Sequence, residues 1–119
     1  MKKELFANLD RISPLYLSDI ILYYIYPRIF ICENDSKEKF LLCEMSNRDN
    51  TDVWLSGKIS EEEYESIARK EKSIQTVYRN MKNLFLILKK YGKDKDEFEI
   101  IYGDMKEWVD KLPDEPIYK

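Results

Sequence analysis

Two short apolar runs flank a polar cluster in RIFICENDSKEKFLLCEM, residues 28 to 45, and this pattern constrains the chain more than any other. Asn34-Asp35-Ser36-Lys37 supplies turn chemistry between runs rich in β-branched and aromatic residues, so the segment reads as a β-hairpin. The pattern recurs in NLFLILKKYGKDKDEFEIIYG, where runs from Leu84 to Leu88 and Phe98 to Tyr102 flank a charged turn around Gly92. SNRDNT is a further polar loop, leading into an arm from Asp52 to Gly57 that carries Trp54. Residues 15 to 25 are dense in Leu, Ile and Tyr until Pro27. That suits a strand buried on both faces, although periodicity alone leaves a helix open.

Helical signals are local and fewer. In ISEEEYESIARKEK, Ser60 and Glu63 form a capping box, and Ile59 and Tyr64 occupy the positions of a hydrophobic staple. Glu61, Glu62 and Glu63 lie at the positive end of this helix, with Arg69, Lys70 and Lys72 toward its negative end, so the acidic run is structural. A second short helix carries Ile74, Val77, Tyr78 and Met81 on one stripe. A third, led by Asp104 and Glu107, buries Met105, Trp108, Val109 and Leu112 and stops at Pro113. The expectation is a single α+β domain over residues 1–119, with a mostly antiparallel sheet of about five to six strands and two to three short helices. Residues 1–14 form a loosely packed lead-in or short helix, and residues 113–119 an exposed tail.

Composition removes whole classes of chemistry. With no histidine there is no His-based triad, Cys–His dyad or His-ligated metal. None of the 3 glycines falls in a phosphate-cradling pattern. Asp94, Asp96 and Glu97 lack the spacing and the glycine of a calcium loop, so no cofactor, metal or catalytic set is assigned. The net charge of −3 argues against a polyanion binder and is too mild for a nucleic-acid mimic. No run is long and apolar enough to span a bilayer and no signal peptide is evident. The expectation is a cytoplasmic protein with reduced thiols at Cys32 and Cys43 and no membrane partner.

YYIYPRIFIC, residues 23 to 32, raises a stacking platform for single-stranded nucleic acid as a competing use of its tyrosines. Tyr23 and Tyr24 point to opposite faces of any strand, and Arg28 is the sole basic residue between Asp19 and Lys37. The stretch is therefore a sheet strand whose tyrosines and arginine suit a protein interface. Tyr23, Tyr26, Arg28, Asp52 and Trp54 form the candidate binding surface.

Read as one pattern, YYIYPRIFICENDSKEKFLLCEM followed by TDVWLSGKISEEEYESIARKEKSIQTVYRNM resembles an uncharacterised bacterial family, domain of unknown function 6575. The matching positions are Tyr23, Tyr24, Pro27, Arg28, Phe30, Asp52, Trp54, Leu55, Ser60 and Ile67, within a stretch covering roughly residues 9 to 90. Tyr26 stands where that family often has glycine, and the loop at 46–51 is less acidic. The resemblance implies a small cytosolic bacterial domain and carries no catalytic residue.

Placing the first turn between Ser36 and Lys37 sets Cys32 opposite Leu41 and Cys43 opposite Phe30. The sulfurs then sit diagonally on one face, too far apart for a disulfide. The same register aligns Phe30, Cys43 and Trp54 in one row and Arg28, Met45 and Asp52 in the next, which predicts an Arg28–Asp52 ion pair. The functional expectation is a protein-binding module, regulatory, inhibitory or accessory, whose partner is another protein or a second copy of itself. A Lys-, Ile-, Tyr- and Asn-heavy composition points to an AT-rich bacterial or phage genome and a defence or counter-defence setting. The alternatives are an enzyme or sensor that binds a small polar ligand through carboxylates, Tyr and Arg, and nucleic-acid binding.

Overall fold

A computed structural model describes residues 4–6, 14–24, 26–112 and 114, with side chains described for 14–22, 28–112 and 114. Seven strands, β1 (Glu4–Phe6), β2 (Leu15–Tyr24), β3 (Tyr26–Glu33), β4 (Lys39–Ser46), β5 (Thr51–Ile59), β6 (Phe85–Lys90) and β7 (Glu97–Tyr102), form one sheet. They follow chain order across the sheet, and every neighbouring pair is antiparallel. Helices α1 (Glu61–Ala68) and α2 (Ile74–Arg79) leave the sheet after β5 and return the chain to pair as β6. α3 (Lys106–Val109) follows β7. The α+β single domain is as expected, with one strand more than the count of about five to six. The extra strand is β1, inside the segment expected as a lead-in or short helix. Of the expected tail only Asp114 lies within the described residues. It is exposed and accepts a hydrogen bond from Ser73 Oγ at 3.1 Å.

Alternation along each strand sends apolar side chains to both faces, which is why the sheet carries two cores. One lies beneath the helices: Ile29, Ile31, Leu41, Cys43 and Leu55 meet Ile67, Ile74, Val77 and Tyr78. Tyr78 is fully buried, and its hydroxyl donates toward the carbonyls of Leu41 (2.9 Å) and Leu55 (2.8 Å), tying α2 to two adjacent strands. Gly57 lets Met81 and Leu84, which follow α2, pack directly on the β5 backbone. A Cβ there would stand 2.2 Å from Met81 Sδ and 2.8 Å from Leu84 Cδ2. The second core, on the opposite face, collects Leu15, Phe30, Cys32, Phe40, Leu42, Trp54, Phe85 and Ile87.

β2 serves both cores. Leu15 and Leu17 join the second, whereas Asp19 and Ile21, which unbroken alternation would place beside them, turn to the helix side. The register shift between Leu17 and Asp19 causes the switch, since one inserted residue exchanges the two faces of a strand. Asp19 then accepts a hydrogen bond from Tyr64 Oη of α1 at 2.7 Å.

Register is where the structure corrects the sequence reading. β3 and β4 pair Ile29 with Cys43, Phe30 with Leu42 and Cys32 with Phe40, one residue away from the expectation. The hairpin loop is odd-numbered and centred on Ser36. Asn34 Oδ1 accepts from the amides of Ser36 and Glu38, both at 3.0 Å, and Lys37 takes up the extra residue with a left-handed φ of 67°. Between β4 and β5, Asp49 and Asn50 both adopt positive φ, and Thr51 N–H donates to Arg48 O, the signature of a type I′ turn. The register there also shifts between Glu44 and Ser46, leaving Glu44 opposite Trp54. Cys32 and Cys43 remain free, as expected, but for a different reason. They point to opposite faces of the sheet, one into each core.

Candidate protein-binding edge

The β6–β7 hairpin closes one side of the sheet. β7 pairs with β6 over six residues with unbroken register, and has no neighbour on its other side among the described residues. Among the described residues its outer backbone N–H and C=O groups have no strand partner. Phe98 and Ile100 turn toward the second core, while Glu97, Glu99 and Ile101 are exposed on the helix side. Tyr102 stacks at a tilt on Phe85, with ring centroids 5.7 Å apart, yet remains 57% exposed. Among the described residues the large exposed apolar side chains are Tyr91, Ile101 and Tyr102, and all three belong to this hairpin or its turn.

The turn is held by packing and charge. A Cβ on Gly92 would meet Lys95 O at 2.3 Å, so the chain folds back on itself more tightly than an L side chain permits. Lys89 Nζ lies 4.9 Å from the Tyr91 ring centroid, 5.8 Å from that of Phe98 and 3.7 Å from Asp96 Oδ2. Tyr91 Oη donates to Asp52 Oδ2. Burial, that hydrogen bond, and the charges of Asp52, Asp96 and Glu44 push the phenol well above its ordinary pKa, so Tyr91 stays a donor.

The sequence-derived surface lies away from this edge, on β2, β3 and β5. Arg28 Nη1 pairs with Glu44 Oε1 at 2.7 Å, not with Asp52, whose described contact is Tyr91. Glu44 stands opposite Trp54, so Arg28, Glu44 and Trp54 share a row across three strands, with Asp52 one row further along the same face. Trp54 is 8% exposed and part of the second core; its ring packs instead of presenting a surface. Tyr23 and Tyr26 belong to β2 and β3, and their side chains lie outside the described residues. Sequence reasoning missed Glu44, Tyr91, Ile101 and Tyr102. The alternation in EFEIIY marked a strand, but nothing in it marked an edge.

Away from the edge, α2 and α3 frame an open hollow of about 350 Å³, with Arg79, Lys82, Asp104 and Lys106 around a floor that includes Met81 and Met105. Arg79 is already engaged by Asp110 Oδ1 at 2.8 Å. Among the described residues no three Cys, Asp or Glu side chains converge as a metal site, and no helix is long and apolar enough to cross a membrane. Comparisons with protein families, curated proteins and solved structures give no match to this chain.

Proposed function

We propose that this chain is a small protein-binding module, regulatory, inhibitory or accessory, that engages its partner by adding a strand to β7. The observation that carries the reading is the coincidence, in one hairpin, of an open backbone edge with the exposed Tyr91, Ile101 and Tyr102. Strand addition draws affinity from main-chain hydrogen bonds and specificity from alternate side chains. Soluble proteins usually blunt such an edge with lysine, proline or a bulge. β7 has none of these, and its Glu97 and Glu99 disfavour a partner strand only where a carboxylate lies directly opposite them. The net charge of −3 supports a protein partner over a nucleic acid, and the Lys-, Ile-, Tyr- and Asn-heavy composition fits a defence or counter-defence setting in bacteria or phage.

Capture from a native lysate tests this, comparing the unaltered chain with an Ile101→Lys/Tyr102→Lys variant. The unaltered chain retains a stoichiometric partner, another protein or itself, and the variant loses it. A monomer that retains nothing, or a variant that retains the partner equally well, overturns the proposal.

A second reading, binding of a small acidic ligand, rests on the α2–α3 hollow with its Lys82 and Lys106. A thermal-shift panel of small carboxylates and phosphates decides it: no ligand raising the midpoint sinks this reading.

A further inference from the structure

We infer that the strand β7 receives is β7 of a second copy, paired antiparallel about a two-fold axis at Ile100. This rests on the reading of β7 as a docking edge and names its occupant. A two-fold axis perpendicular to a continuous sheet keeps each face on its own side. Directly opposed residues must therefore share a face, and each β7 residue meets one of its own parity. With Ile100 on the axis, Ile100 meets Ile100 of the second copy, Phe98 meets its Tyr102 and Glu99 meets its Ile101.

That register has three properties its neighbours lack together. Five of the six strand residues, Phe98 to Tyr102, oppose one another inside the strand Glu97–Tyr102, and only Glu97 overhangs, opposite Gly103 of the second copy. The second-core face gains an aromatic pair on each side of an isoleucine pair, the combination that stabilises cross-strand contacts most. No carboxylate directly faces another. Placing Glu99 on the axis sets two carboxylates against each other, which costs stability. Placing Ile101 there leaves only Ile100 to Tyr102 opposed inside the strand and sets Glu97, Phe98 and Glu99 against residues beyond it.

Closure follows from the sheet's other side. Among the described residues β1 is three residues long and covers β2 only at Leu15 and Tyr16, and register shifts interrupt the rest of β2, so that side offers β7 of another copy no regular edge for a growing filament. Pairing of like edges closes at a dimer. The chain's small net charge does little to oppose it.

The test combines mass with geometry. Sedimentation equilibrium of the unaltered protein over a micromolar-to-millimolar range should show twice the chain mass at the upper end. Across an antiparallel pair, Cα atoms stand about 4.5 or 5.5 Å apart, inside disulfide range, whereas diagonal positions stand about 7–8 Å apart. Ile100→Cys should therefore link two chains under oxidised glutathione several-fold more than Glu99→Cys or Ile101→Cys. Cys32 and Cys43 are buried, so they contribute little background. A single-chain mass across the whole range overturns the inference, and so does preferential linking through position 99 or 101. If a substitution costs the native near-ultraviolet spectrum, the mass of the unaltered protein decides alone. A monomer that takes up a strand from another protein refutes self-pairing and leaves the docking-edge reading standing.

Discussion

Arg28 and Glu44 form the ion pair with most at stake, because the Glu44 side chain is 5% exposed while its partner is 27% exposed. Removing one member of such a pair takes away part of what compensates a buried charge, whereas removing both does not leave that charge behind. Arg28→Met should therefore cost about 3 kcal/mol in urea denaturation, and Arg28→Met/Glu44→Met clearly less than the sum of the single changes. Additive costs would show that the two groups do not depend on each other. The thiols make a second prediction at this scale. Burial pushes Cys32 and Cys43 from 9.0 up to about 12, with the Glu44 charge adding to the effect at Cys43. Between pH 9 and about 12 the folded chain keeps protons that the unfolded chain has released. The thiol contribution is thus complete below pH 9 and falls as pH rises through that window, by at most about 1.4 kcal/mol per pH unit for each thiol. Urea midpoints at pH 8 and pH 10.5 should fall more steeply in the unaltered chain than in Cys32→Ala/Cys43→Ala. Equal slopes would mean the thiols are not shielded as described.

Local signals decide how far each element can be read from sequence. The α1 capping box was legible because both partners lie within three residues. Ser60 Oγ accepts from Glu63 N–H at 3.1 Å, and Glu63 Oε1 from Ser60 N–H at 3.0 Å. Ser60→Ala should lower stability by about 1 kcal/mol in the same urea assay, while exposed Glu62→Ala should change it little. A null effect at Ser60 would remove the cap from the account. At the far end of α1 the helix stops at Ala68, and Arg69, expected at its negative end, is the C-cap and reaches Glu65 at 3.2 Å. Asp104 caps α3 only in part, accepting from Lys106 N–H at 3.0 Å from a position before the Met105 N-cap. Register was not legible. Lys37 reaches a left-handed φ without a glycine to announce it, and the shift after Glu44 is a choice between neighbouring strands. Two slips of one residue put Arg28 beside Glu44 and Trp54, yet left Asp52 on the same face by parity, so part of the expected surface survives with different partners.

At the scale of the whole molecule, one sheet serves two cores and, among the described residues, leaves its one edge of regular pairing at β7. The helices cover one face, the second core fills the other, and β7 alone offers six regular residues with no described neighbour. The fold class was readable because hairpin and cap signals are local. The edge was not, because position within a sheet depends on which strands pair. The proposed function rests on that position: the strand presenting Ile101 and Tyr102 has no neighbour on its outer side among the described residues. Amide hydrogen exchange along β7 tests this most directly. In dilute protein, every second amide from Glu97 to Tyr102, those pointing away from β6, should exchange near the rate of free peptide while the others are protected. At high concentration, or with a captured partner strand, both sets should become slow. Uniform protection of β7 at every concentration would show an edge already covered, and outward amides that stay fast at all concentrations and with every partner would show an edge that nothing uses.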